Sequence, residues 1–242
     1  MKVKVLGVKI DQINLVGTLT IIDSWIDGKE QKMIATVNAE FLVAAQSNSR
    51  FKEILNSVDL ATCDGSGPQL AAEFLRGIKL NRVAGSDLTV ELLKNKKLKI
   101  FFLGGSKQVI EILSRKLVQD NIAGYCDGGR LKNDYQLENN EILVDQINSS
   151  DANLLLVAFG QVKQEMWIKN NLPRLPNIKV AIGVGVTFDF LAGLAKRAPK
   201  WIRTLGLEWL YRLIKEPQRW RRIWNATVYF SWLVLKEKIK HR

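Results

Sequence analysis

The sequence predicts an α/β fold, a Rossmann-like and mostly parallel sheet flanked by helices, with a C-terminal basic amphipathic helical appendage. Three observations carry that expectation. Strand-like and helix-like segments alternate from Val3 to Ile182, the signature of a parallel sheet with helices on both faces. Two of the strand-like runs, Lys99 to Leu103 and Asn153 to Phe159, are apolar almost throughout, as strands buried on both faces are. Basic residues and tryptophans collect beyond Ala198-Pro199. With 242 residues, 47% of them hydrophobic, the chain can bury a full core, and it divides into a body over 1–195 and an appendage over 196–242.

Val3 to Val8 alternates as a first strand, followed by Ile10 and Asp11. From Asn14 to Asp27 the apolar residues Leu15, Leu19, Ile22 and Ile26 recur at helical spacing, and Gly28 ends that helix. Met33 to Val37 is the next strand, running through Asn38-Ala39-Glu40 into a helix with Phe41, Leu42 and Ala45, which puts Thr36 and Asn38 at the strand's C-terminal end. A short helix from Arg50 to Asn56 precedes a strand from Val58 to Ala61. The stretch Ala61-Thr62-Cys63-Asp64-Gly65-Ser66-Gly67-Pro68 then leads into a helix over 69–76, with Pro68 suited to its first position. Ser86 or Asp87 caps a helix from Leu88 to Lys94, and Arg82 stands just ahead of it.

Lys99 to Leu103 breaks into Gly104-Gly105-Ser106 before a helix from Lys107 to Val118. Ile122 to Cys126 is a strand, followed by Asp127-Gly128-Gly129 and a helix from Leu137 to Ile147. The strand from Asn153 to Phe159 ends at Gly160-Gln161-Val162-Lys163-Gln164-Glu165, which opens a helix through Met166 and Ile168. Ile178 to Ile182 is the last strand, with Gly183 and Gly185 after it, where a diphosphate could approach the backbone, and Asp189 as a capping residue. In the appendage Trp201, Leu205, Trp209 and Leu213 form an apolar stripe on a helix that Pro217 breaks, and a second helix carries Trp220, Ile223, Trp224, Phe230 and Leu235.

Charge is distributed as unevenly as tryptophan. Residues 196–242 hold 13 Lys or Arg against three acids, a net +10 out of the chain's +12, together with five of the seven tryptophans. Cationic, aromatic surfaces with apolar stripes at helical spacing suit anionic lipid headgroups better than nucleic acid, where base-stacking aromatics would lie among the basic residues. The longest apolar run there, Ala226 to Leu235, is about half the ~20 residues a spanning helix needs. Met1 leads into a strand and not into a secretory signal, so a cytoplasmic protein peripheral to the membrane's inner face is expected. The exposed apolar tail could equally dock on a second copy of the chain.

Chemistry must come from carboxylates. The two cysteines, Cys63 and Cys126, lack metal-ligand spacing, and the one histidine, His241, is at the end of the chain. No histidine is placed to activate Cys63, which reads as a buried thiol. Asp64, between a strand end and a helix start with Gly65 and Gly67 beside it, is either the opener of a turn or a general base next to an anion cradle. Gly104-Gly105 lacks the third glycine and the acidic ribose ligand of a dinucleotide site, so it reads as a structural turn and speaks weakly for a Rossmann-like oxidoreductase.

Taken in order, eight pieces resemble the bacterial WecG/TagA/CpsF family of glycosyltransferases over nearly the whole chain: Thr36-Val37-Asn38-Ala39-Glu40, Asp64-Gly65-Ser66-Gly67, Arg82-Val83-Ala84-Gly85, Phe102-Leu103-Gly104-Gly105, Lys163-Gln164-Glu165, Gly183-Val184-Gly185 with Phe188-Asp189, Lys196-Arg197-Ala198-Pro199 and Leu205-Gly206-Leu207-Glu208-Trp209-Leu210-Tyr211-Arg212. Two departures, Val37 where proline is frequent and Gln161-Val162 where a small residue and proline are usual, bear on donor-sugar selectivity. The resemblance implies inverting transfer of N-acetylmannosamine or a related sugar from a UDP-sugar donor to undecaprenyl-diphosphate-linked N-acetylglucosamine. It implies Asp64 as base, Thr36 and Asn38 orienting a sugar, and Gln164 holding the donor sugar. By the same resemblance Arg82 and the turns at Gly104, Gly105, Gly183 and Gly185 lie at nucleotide or phosphates, Lys163 is a substrate-binding residue, and Arg212, Arg219 and Arg222 lie at a diphosphate. It further implies no metal cofactor, in keeping with the absence of an Asp-x-Asp pattern. A non-enzymatic peripheral membrane or nucleic-acid-binding protein acting through its tail is the alternative.

Overall fold

A computed structural model describes residues 1–118, 120–130, 132 and 135–240, and of Lys200, Thr204, Arg212 and Arg219 the backbone alone. His241 lies outside the described residues. The chain begins with a hairpin and not with one strand: β1 (Lys2–Val5) pairs antiparallel with β2 (Val8–Asp11), Val5 opposite Val8. The two residues between them, Leu6 and Gly7, have φ of 49° and 81°, the two-residue turn whose twist matches a hairpin. Alternation continues across such a turn, so periodicity alone reads it as a single strand.

The main sheet has six strands, β3 (Lys32–Val37), β4 (Leu60–Cys63), β5 (Ile100–Gly104), β6 (Ile122–Cys126), β7 (Leu154–Ala158) and β8 (Val180–Gly183). Their order is β4-β3-β8-β7-β5-β6, and every pairing is parallel. Around it run α1 (Leu15–Ile26), α2 (Ala39–Ser47), α3 (Ser49–Ser57), α4 (Ser66–Arg76), α5 (Gly85–Leu92), α6 (Lys107–Lys116), α7 (Asn140–Asn148), α8 (Lys163–Asn171) and α9 (Thr187–Ala192). Neighbouring strand residues face opposite sides: Phe101 and Leu155 join a core under α2, α3, α4, α7 and α8, whereas Phe102 and Leu156 join one under α1, α5, α6 and α9. This two-sided burial accounts for the uninterrupted apolar strands.

Two helix starts differ from the sequence reading. Gly65, at φ 103°, turns the chain from β4 directly into α4, so Pro68 is its third residue and not its first. Likewise α5 starts at Gly85 without a side-chain cap, leaving Ser86 and Asp87 inside its first turn. Beyond the body come α10 (Lys200–Thr204), α11 (Glu208–Lys215), a turn at Pro217–Arg219, and a rod made of α12 (Trp220–Trp224), a π-helical segment (Asn225–Tyr229) and α13 (Phe230–Lys240). The first tail helix, expected to be continuous, is interrupted at Gly206, whose φ of 73° ends a helix; Pro217 breaks the chain where expected.

The tail folds back on the body. Phe230 and Val234 are buried in the core beside α2 and α4, and Arg76–Glu237 (2.5 Å), Lys238 Nζ to Phe74 O (2.7 Å) and Ser66 Oγ to Gly206 O (3.2 Å) stitch it along α4. Trp201, Trp209, Trp220, Trp224 and Trp232 remain exposed. No helix among the described residues is long and apolar enough to cross a membrane.

Candidate active site

The C-terminal edge of the sheet, where open α/β folds bind ligands, gathers the polar residues. Thr36, the penultimate residue of β3, is buried and donates its hydroxyl to Gly183 O of the adjacent β8 at 3.1 Å. Asn38 follows; its side-chain oxygen accepts from Phe41 N at 3.0 Å and caps α2, which leaves its amide nitrogen as the remaining donor group. One strand over, Asp64 N donates to Val37 O at 2.8 Å, and Asp64 Oδ2 accepts from Gly85 N at 3.3 Å. The carboxylate thus stands at the amino ends of both α4 and α5, where helix dipoles favour negative charge. A Cβ on Gly85 would meet Thr36 Oγ1 at 3.3 Å, so glycine lets α5 approach β3 this closely. Burial, with the charge of Asp64 beside it, pushes the Cys63 thiol up to about 12, which makes it an inert core group as expected.

The ends of β7 and β8 meet through α8. Gln164 is 2% exposed; its Oε1 accepts from Gly185 N at 3.1 Å and its Nε2 donates to Glu165 Oε1 at 2.7 Å. A Cβ on Gly183 would fall 2.5 Å from Gln164 Nε2, so glycine is required there by the buried amide. Glu165 is fully buried and its other oxygen accepts from Val162 N at 2.9 Å, the acidic half of a capping box. That bond holds Val162 at φ 70°, a value rare for a β-branched residue and closed to the proline common at this position in the resembling family. Burial pushes the Glu165 carboxyl up to about 8. The Glu three residues after Val162 was a legible signal for this bond, and sequence reasoning assigned it nothing.

The tail closes the third side, by ion pairs between distant segments. Arg82 donates to Arg203 O and to Glu208 Oε2, both at 3.0 Å. Asp87 accepts from Arg197 through both oxygens, at 2.6 and 2.8 Å, and from Arg203 at 3.3 Å. Burial works to raise the Asp87 carboxyl, but the hydrogen bonds and charge of Arg197, aided by Arg203 and Arg82, hold it below its usual value. Arg222 pairs with Glu40 in the first turn of α2 at 2.6 Å. Of the expected cationic residues, Arg82 and Arg222 are therefore each matched to a carboxylate, and the buried Nε–H groups of Arg82 and Arg197 find no partner among the described residues.

Together these walls enclose a cleft of about 1250 Å³. Of the residues expected at the site, Thr36, Asn38, Asp64, Arg82, Gln164, Gly185 and Arg222 line it. Gly183 is buried behind Gln164, and Lys163 is exposed on the first turn of α8, off the cleft wall. Gly104 and Gly105 are also off the wall; their φ of 102° and 84°, and the 2.8 Å from a Cβ on Gly104 to the Ala158 carbonyl carbon, show a turn that lets β5 pass β7. Arg212 is in α11 and Arg219 in the turn before α12, with side chains outside the described residues. Asp189 is not an N-cap but the third residue of α9, and it lines the cleft. Among the described residues no three of His, Cys, Asp and Glu form a group able to hold a metal ion.

The chain has relatives in sequence. Over 223 residues the chain is 34% identical to the N-acetylglucosaminyldiphosphoundecaprenol N-acetyl-beta-D-mannosaminyltransferase of Bacillus subtilis (strain 168), covering 89% of this chain and 84% of the relative. The protein of the same name from Bacillus spizizenii is 32% identical over 222 residues, 89% and 83% of the two chains. The model of the glycosyl transferase WecG/TagA/CpsF family matches residues 3–242, so the chain, a glycosyltransferase, belongs to that family.

Proposed function

We propose that this glycosyltransferase moves N-acetylmannosamine from a UDP-linked donor to N-acetylglucosaminyl-diphosphoundecaprenol, with inversion, in the synthesis of a cell-surface polymer such as wall teichoic acid. One observation carries the reading most: Asp64, at a strand end and at the amino ends of two helices, faces a cleft shared with Thr36, Asn38 and Gln164. In the reaction an acceptor hydroxyl oxygen bonds to the anomeric carbon as the bond to the UDP oxygen breaks; its proton passes to Asp64 and the electron pair leaves with UDP. Asn38 offers its amide nitrogen to a sugar, and Gln164, anchored by Glu165 and Gly185, holds the donor sugar's place.

The leaving diphosphate needs positive charge without a metal ion. Arg82 and Arg197 bring positive charge to the cleft wall, and Arg222 becomes available if a phosphate takes the place of Glu40, with Arg212 and Arg219 as further candidates. The exposed tryptophans of a basic tail favour a peripheral position on the membrane that holds the acceptor. Purified enzyme given the lipid-linked acceptor and a panel of UDP-sugars is expected to release UDP fastest with UDP-N-acetylmannosamine; release with no sugar of the panel contradicts the reading.

A further inference from the structure

The cleft does not end at Asp64. It continues along α4, whose Leu70 and Phe74, one helical turn apart, are 65% and 48% exposed and line it. The opposite wall comes from the rod: Phe230 and Val234 at the base and Leu235, 52% exposed, at the rim. At the end nearer Asp64, Leu207 lies on the wall just past the Ser66–Gly206 hydrogen bond. At the far end Lys238 reaches over the Phe74 ring, 5.2 Å from its centre, while its Nζ holds Phe74 O. Exposed leucines scattered over a surface need no explanation, but three large apolar side chains on the two sides of one groove, continuous with a catalytic carboxylate, do.

We propose that this groove between α4 and α13 binds the first isoprene units of the acceptor's polyprenyl chain. The inference rests on the proposed acceptor and adds where its lipid goes. From Ser66 to Phe74 the helix rises about 12 Å, a run that an extended hydrocarbon chain can follow. An acceptor whose sugar hydroxyl meets Asp64 extends away from it through its diphosphate, and its hydrocarbon must then leave along an apolar wall or through water; the α4 groove is that wall. Lys238, its ammonium over the Phe74 ring and bonded to Phe74 O, ties α13 to α4 at the far end of the groove.

The test uses two acceptors without vesicles or detergent: N-acetylglucosaminyl diphosphate esterified with farnesyl or with methyl. Leu70→Asp and Phe74→Asp, both exposed in the fold, are each expected to raise KM for the farnesyl acceptor at least about tenfold relative to the methyl acceptor, the loss of one buried apolar contact. Val16→Asp, an equally exposed change on α1, controls for charge and is expected to leave the ratio unaltered. An unchanged ratio in both groove variants, or a loss that appears only when vesicles are added, overturns the proposal in favour of bilayer contact alone. If the wild type uses neither acceptor, the functional reading fails, and calorimetry with farnesyl diphosphate still decides on the groove: weaker binding in Leu70→Asp supports it, and equal or absent binding overturns it.

Discussion

Replacing Glu165 by glutamine should change the pH dependence of stability and reverse the sign of the mutational effect across the neutral range. The unfolded carboxyl ionises near 4.5, whereas burial holds the folded one protonated up to about 8. Between those values the folded state binds more protons than the unfolded state, so stability is fully present below pH 4.5 and is lost as pH rises through 8. A shift from 4.5 to about 8 corresponds to a loss of about 4 kcal/mol between pH 5 and pH 9 from this one group. Glutamine carries no such penalty, but its NH₂ must face one of the two donors, Val162 N–H or Gln164 Nε2, at a cost of about 1 kcal/mol. Urea unfolding at intervals from pH 5 to pH 9 should therefore find the wild type slightly more stable at pH 5 and Glu165→Gln more stable by about 3 kcal/mol at pH 9. Stability curves that run parallel over this range would refute the reasoning.

Three further outcomes follow from the tail and the cleft. Asp87→Ala leaves Arg197 and Arg203 without their shared carboxylate, and trypsin under native conditions is expected to cut near residues 197–203 several-fold faster; unchanged cleavage would show that the clasp does not hold the tail. Activity is expected to persist in excess chelator, and strict dependence on added magnesium or manganese would contradict the arginine account of the leaving group. Trp201→Ala, Trp224→Ala and Trp232→Ala together should abolish co-flotation with anionic vesicles while leaving thermal stability nearly unchanged, since all three are exposed; undiminished flotation would place the membrane contact elsewhere.

The main sheet was legible because its strands are buried on both faces, so their apolar runs stand out and the polar residues after them mark the sheet's C-terminal edge. Thr36, Asp64 and Gln164 were found by that logic, and the structure puts them on one cleft. The amino-terminal hairpin was not legible, because alternation carries through Leu6-Gly7 unchanged. The starts of α4 and α5 escaped because glycines, not side-chain caps, begin them. Pairing was hidden for another reason: Arg197 meets Asp87 110 positions away, and Arg222 meets Glu40 at a separation of 182, contacts that depend on the folded tail and leave no local pattern. A count of positive charge in the tail consequently overstated the charge free to meet a diphosphate.

The role of Asp64 is the claim on which the rest depends. Its replacement by asparagine preserves shape and the acceptor oxygen for Gly85 N but removes the base. Steady-state transfer by Asp64→Asn, measured with UDP-N-acetylmannosamine and the lipid-linked acceptor after confirming an unchanged melting curve, is expected to fall by about 10²–10⁴-fold in kcat with donor KM nearly constant. Turnover within a few-fold of the wild type would contradict the assignment of Asp64 as the general base.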